Sequence, residues 1–171
     1  MSSILITWII INKNVALGKT AYQPDSLFEF SYAKKAVDGN TNPDMNYMSC
    51  TYTKQKTNAW WDVDLGKIFT IQRVKIFNGM DSTTHRLRDV ELYIGNSRSS
   101  YALKQFQSGH VGSSYTFHLS PEVEGRWVKI TRKTDVDDFL QLCEVQVFAE
   151  VGPDYFKGEC VSKVRRVSHA R

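Results

Sequence analysis

Glu144 follows Cys143 near the end of the run Leu140-Gln141-Leu142-Cys143-Glu144-Val145-Gln146-Val147-Phe148, and far upstream stand Asp38-Gly39-Asn40 and Ser49-Cys50. The two segments hold one potential disulfide, Cys50 with Cys143, and around it a carboxamide, a hydroxyl and two carboxylates. Such an oxygen-rich set suits a hard cation, so it points to Ca²⁺ and away from zinc. Asp38-Gly39-Asn40-Thr41-Asn42-Pro43-Asp44 begins like an EF-hand loop, yet Pro43 stands where that loop needs glycine and Ser49 where it needs a bidentate glutamate. By itself Asp-Gly-Asn is a turn. A Cys50–Cys143 bridge changes that reading, because it would bring Ser49 and Glu144 beside the turn. Asp38, Asn40, Ser49 and Glu144 could then share one cation with nearby backbone carbonyls.

The elements that must position these groups read as strands. Trp61, Val63 and Leu65 alternate with Asp62 and Asp64 before Gly66-Lys67 turns the chain. Val74 and Ile76 alternate with Arg73, Lys75 and Phe77 up to a turn at Asn78-Gly79, and Val90, Leu92 and Ile94 run to Gly95-Asn96. Further runs cover 115–119, 126–131 and 142–148, and a 3.6-residue period is absent from every long window. Short alternating runs bounded by turn residues predict an all-β fold, an antiparallel sandwich or jelly roll, with helix confined to a turn or two near Ala33–Val37. The irregular stretches 21–33, 39–58 and 78–88 become loops at the ends of the sheets, where such folds carry binding residues.

At 171 residues the chain forms one domain with a short segment at each end: 1–12 apolar, 13–150 the domain, 151–171 a basic tail. Aromatics make up 12% of the chain with four Trp, and core packing is the heavier reading of that figure. The net charge of +4 is mostly in the tail, where residues 154–171 hold five basic against two acidic residues. A nearly neutral body offers no basic stripe for phosphates, which argues against nucleic acid. Three cysteines without a C-x-x-C spacing leave Cys160 over if one disulfide forms in an oxidising compartment, either to pair with another chain or domain or to remain a free thiol. The apolar run Ile4–Ile11 is too short to span a bilayer. Three readings of it stay open: a degenerate secretion signal, an appended segment, or an extra edge strand.

Beyond these patterns the chain resembles an F-type lectin, the fucose-binding fold also called the fucolectin or tachylectin-4/pentraxin-1 domain. The resemblance covers residues 13–150 and rests on Asn14-Val15-Ala16-Leu17-Gly18-Lys19, Ala36-Val37-Asp38-Gly39-Asn40, Ser49-Cys50-Thr51, Trp60-Trp61-Asp62-Val63-Asp64-Leu65-Gly66 and Leu140-Gln141-Leu142-Cys143-Glu144-Val145. It implies a jelly roll with a structural Ca²⁺ beside the disulfide, held by the backbone carbonyls of Lys35 and Cys143 and the side chains of Asp38, Asn40, Ser49 and Glu144. It also implies a fucose site built from a His, an Arg-x-Asp and a second basic residue, whose charged donors reach the ring oxygen and hydroxyls. Here the His position is Tyr52 and the first Arg position Gly79, while Asp81 and Arg86 keep the family type; a cysteine pair of some members is Ser82-Thr83. His85 and Arg88 flank Arg86 as replacement donors, and Leu27, Phe28 and Tyr47 are possible apolar walls.

The functional expectation is a secreted, calcium-containing lectin for fucosylated or related glycans. Assembly into homo-oligomers or tandem domains is the family's way of gaining avidity. The alternative keeps the calcium-locked sandwich and turns it to protein contact, adhesion or assembly. An enzyme is the weakest reading: His85, His110, His118 and His169 are scattered, and the acids Asp135, Asp137 and Asp138 read as a solvated loop, not a paired-carboxylate cleft.

Overall fold

The computed structural model describes residues 11–54, 56–80, 84–152 and 155. Most of the apolar N-terminal run, Asp81, Ser82, Thr83 and Cys160 lie outside these residues. The strands are β1 (Ile11–Asn14), β2 (Thr20–Tyr22), β3 (Thr51–Tyr52), β4 (Trp60–Phe77), β5 (Arg88–Gly95), β6 (Ala102–His110), β7 (Ser114–Arg132), β8 (Gln141–Leu142) and β9 (Glu144–Val151). Every pairing is antiparallel.

Two of the strands are longer than alternation predicts. Gly66-Lys67 does not end a strand: Gly66 takes φ +88°, its N–H bonds Asp64 Oδ1 at 2.8 Å, and β4 bends there and runs on to Phe77. A left-handed glycine beside a register jump is a bulge, which bends a strand without breaking it. The runs 115–119 and 126–131 likewise merge into the single strand β7. Residues 60–64 of β4 pair with 127–131 of β7, and 69–77 pair with 114–125. Each long strand therefore serves two layers. One layer holds β2, the first half of β4, the second half of β7, β5 and β6; the other holds β1, β9 and the remaining halves of β4 and β7. Strands that switch layers through bends form the corners of a β-sandwich.

Alternation decides what fills the space between. Trp61, Val63, Leu65, Leu92 and Ile130 from one layer and Val74, Ile76, Phe117, Val145 and Val147 from the other are all fully buried in one core. With Trp61 inward, Trp60 must point outward. The assignment of the tryptophans to the core thus holds for Trp61, whereas Trp60 and Trp127 are half-buried on the outer face and Trp8 lies outside the described residues. Trp61 also does positional work: its Nε1 donates to the Ala33 carbonyl at 2.9 Å and pins the 3₁₀ turn Ala33–Val37, which leads into Asp38. The Asn14–Lys19 segment grips the same turn. Asn14 Oδ1 accepts from Ala16 N (3.2 Å) and Val147 N (3.0 Å), and Gly18 N donates to Val37 O at 2.7 Å.

The predicted run 142–148 is divided. Gln141 and Leu142 pair with Tyr52 and Thr51, while Glu144 onward joins the large sheet. Cys143 sits at the junction, where its N–H bonds Phe77 O at 2.9 Å.

Candidate functional site

Cys50 and Cys143 form a disulfide that joins the ends of a 93-residue loop. Both cysteines are fully buried with Tyr52, and Leu27, Phe77 and Phe139 pack on them. The loop leading to Cys50 is wound by its own side chains: Asp38, Asn40, Asn42 and Asp44 each accept, on a side-chain oxygen, the N–H two residues on, at 2.9–3.0 Å. Ser49, fully buried, closes this winding by donating its hydroxyl to Asn42 O at 2.6 Å.

Glu144 reaches the same loop from β9. It is fully buried, Gly39 N donates to its Oε2 at 3.2 Å, and its Oε1 is buried with no hydrogen-bond partner. Burial raises the Glu144 carboxyl to about 7; the Gly39 bond opposes the shift and the Asp38 charge adds to it. A buried carboxylate with an orphaned oxygen and a second carboxylate acting on it is an unfavourable arrangement by itself. A divalent cation would satisfy both. Asn40 Oδ1 and Ser49 Oγ retain lone pairs beyond the bonds they make. Lys35 lies within the 3₁₀ turn just before Asp38, where its carbonyl is near the same loop in sequence. Among the described residues no group of three or more His, Cys, Asp or Glu converges, so the set is two carboxylates with neutral oxygens. That donor chemistry fits Ca²⁺.

Of the residues singled out for sugar binding, Tyr52, Gly79 and Arg86 border the segment 138–143, and Asp81 lies outside the described residues. Tyr52 pairs with Gln141 across the β3–β8 ladder; only 3% of its surface is exposed, and Phe28 meets its ring edge-on at 6.3 Å. Gly79 is buried beside the Gln141 side chain: a Cβ at Gly79 would lie 3.0 Å from Gln141 Cδ and closer still to Nε2. A side chain at Gly79 would therefore meet Gln141. Arg86, in the 3₁₀ turn Thr84–Arg86, donates to Asp138 Oδ1 at 2.9 Å, and its guanidinium lies over the Phe139 ring at 4.8 Å. Arg132 holds the other oxygen of Asp138 at 2.5 Å. Burial works against the Asp138 charge, but hydrogen bonds from Arg132, Phe139 N and Arg86 outweigh it and keep the carboxyl below its ordinary range.

Asp138 is therefore no part of a solvated loop. It anchors two arginines, and the acidic run offered no signal of a partner so far away in sequence. Of the replacement donors, His85 is exposed and Arg88 is paired with Asp89 at 2.7 Å. Phe28 (43% exposed), Tyr47 (69%) and Met80 (54%) leave apolar surface on the loops of this end.

The packing at Gly79 gives a direct test. Gly79→Arg is expected to cost roughly 1–3 kcal/mol of stability through overpacking. Gln141→Ala in the same chain should recover most of it, since the β3–β8 bonds are backbone bonds. Denaturant unfolding of the single and double variants measures both.

The architecture is that of a galactose-binding-type β-sandwich, and residues 35–130 match the F5/F8 type C family described as NedA-like, galactose-binding domain. Fucolectin-5 of Anguilla japonica is 38% identical over 120 residues, covering 67% of this chain and 62% of the fucolectin. The chain therefore spans less than two thirds of that relative. The crystal structure of an F-lectin (fucolectin) from Morone saxatilis serum superposes with a TM-score of 0.76 at 35% identity, over 81% of this chain and 49% of that one. A Streptococcus pneumoniae fucose-binding module gives a TM-score of 0.74 at 30% identity, over 81% and 96%. The chain belongs to the F-type lectin family.

Proposed function

We propose that this chain is a secreted glycan-binding module whose loop end is locked by Ca²⁺ and which reads fucosylated or related glycans through Arg86. The observation that carries this reading is the placement of Arg86. A guanidinium clamped by Asp138 and seated on Phe139, with its side chain 31% exposed, is a preorganised charged donor at the mouth of the loop end. Preorganisation matters because an exposed, flexible arginine would lose rotamer entropy on binding. Phe28, Tyr47 and Met80 supply apolar surface for a sugar's C–H face, and in sequence Tyr52 and Asp81 stand at two further positions of the family motif. The related proteins support a binder and not a catalyst, since they are named as lectins and fucose-binding modules. A disulfide fits an oxidising compartment, and no helix among the described residues is long and apolar enough to cross a membrane. Association of several copies would give a weak single site its avidity.

The expected outcome for Arg86→Ala is a loss of glycan binding of about tenfold or more, one or two charge-assisted bonds being worth roughly 1.5–3 kcal/mol each. Stability should change little, because Arg132 still neutralises Asp138.

A second reading is favoured by the filled space at Gly79 and the burial of Tyr52: a module that has given up fucose and makes protein contacts with the same loops. Under it, Arg86→Ala leaves ligand capture unchanged.

A further inference from the structure

The outer face of the five-strand layer carries chemistry that the loop end does not use. Register places Tyr22, Asp62, Lys129 and Tyr93 in one row across β2, β4, β7 and β5, with Trp60, Thr131 and Glu91 in the next. Between them lies an open cavity of about 440 Å³ bordered by Tyr93, Tyr101, Glu91, Asn58, Lys129 and Lys133. That volume is in the range of small-ligand sites.

We propose that this groove is a second saccharide site, one that takes a pyranose carrying a carboxylate or sulfate. The two tyrosines are fixed in place. Tyr101 donates its hydroxyl to Asp62 Oδ2 at 3.0 Å, and Tyr93 donates to Glu91 Oε2 at 2.7 Å. Asp62 is itself buried and also accepts Arg98 Nε at 3.0 Å, so Tyr101 is held from beneath. Rings ordered in advance present negative faces to the polarised C–H bonds of a sugar at little entropic cost.

The charge around the groove selects the substituent. Lys133 is 3.5 Å from Glu91 Oε1 and balances it. Lys129 has no salt bridge among the described residues; its Nζ lies over the Trp60 and Tyr101 rings at 5.3 and 5.5 Å. Lys129 and Lys133 against Glu91 leave one positive charge at the groove for an acidic group, while the buried Asp62 beneath, on which Lys129 also acts, is matched by Arg98. Asp62 Oδ1 and Thr131 Oγ1 are buried on this face without a hydrogen-bond partner, which leaves polar capacity next to the groove. This site is independent of Arg86 and does not rest on the fucose reading.

The test titrates the full chain with three hexasaccharides: hyaluronan (carboxylate only), heparin (sulfate and carboxylate) and chitin-derived (neutral). Tryptophan fluorescence and calorimetry report binding. An acidic hexasaccharide is expected to bind wild type and Arg86→Ala equally and to bind Lys129→Gln at least tenfold more weakly, with Tyr93→Ala also weakened. Preference between hyaluronan and heparin then distinguishes carboxylate from sulfate. Absence of binding by either acidic sugar, equal binding of the neutral one, or affinity unchanged in Lys129→Gln would overturn the proposal.

Discussion

Replacing Cys50 and Cys143 together by alanine is expected to lower the unfolding free energy by about 4–5 kcal/mol, the chain-entropy value for a loop of this size. The bridge joins residues 93 apart, so the unfolded chain gains a large loop's freedom when it is cut. Both sulfurs are fully buried against Tyr52, Leu27, Phe77 and Phe139, so the truncation also leaves space that the cluster must close. For a chain of this length the thermal midpoint should fall by roughly 10–15 °C. The effect reaches the site as well. Ser49 precedes one cysteine and Glu144 follows the other, and the loop end loses its only covalent tie among the described residues. Scanning calorimetry of the double variant measures the change, and a loss below about 1 kcal/mol would show that the bridge matters little.

The second large effect concerns pH and calcium. Glu144 titrates at about 7 in the folded chain because it is buried with one oxygen unsatisfied, against an ordinary value of 4.5. The folded state therefore binds this proton more tightly than the unfolded state does. Stability from the protonated form is complete below about 4.5 and is lost as pH rises through 7, up to about 3 kcal/mol without calcium. A Ca²⁺ ion held by the carboxylate, as proposed, would remove that loss, so the calcium increment should grow with pH over the same window. Glu144→Gln, which cannot ionise, should flatten the slope and abolish most of the calcium increment. Urea unfolding at pH 5 and pH 8, with calcium and with chelator, gives all four values. A slope that survives in Glu144→Gln would mean that another group causes it.

Much of the sandwich was legible because alternation reports which side chains face a core: Trp61, Val63, Leu65, Val90, Leu92 and Ile94 are buried as their spacing requires. The pairing of Cys50 with Cys143 was legible from cysteine count and position. Continuity of β4 through Gly66 was not, since a glycine that bends a strand and one that ends it look alike in sequence. The aromatic outer face was missed for a related reason. Alternation separates two faces but does not say that the second one also holds ordered rings, and Trp60 beside Trp61 is read as core by composition. Long-range polar contacts were the least visible. Arg86 meets Asp138 across 52 positions, and Gln141 fills the space at Gly79 across 62; nothing local marks either pair.

These contacts also explain how the parts depend on one another. Segment 138–144 carries the Arg86 anchor, the Gln141 side chain, the disulfide and the Glu144 carboxylate in succession.

Glycan recognition through Arg86 is tested by a glycan array probed with the full chain in calcium, with Arg86→Ala run alongside. Signal is expected on fucose-terminated or closely related glycans, and its loss in the variant. No signal on any glycan, or signal at those glycans that Arg86→Ala leaves intact, would contradict it.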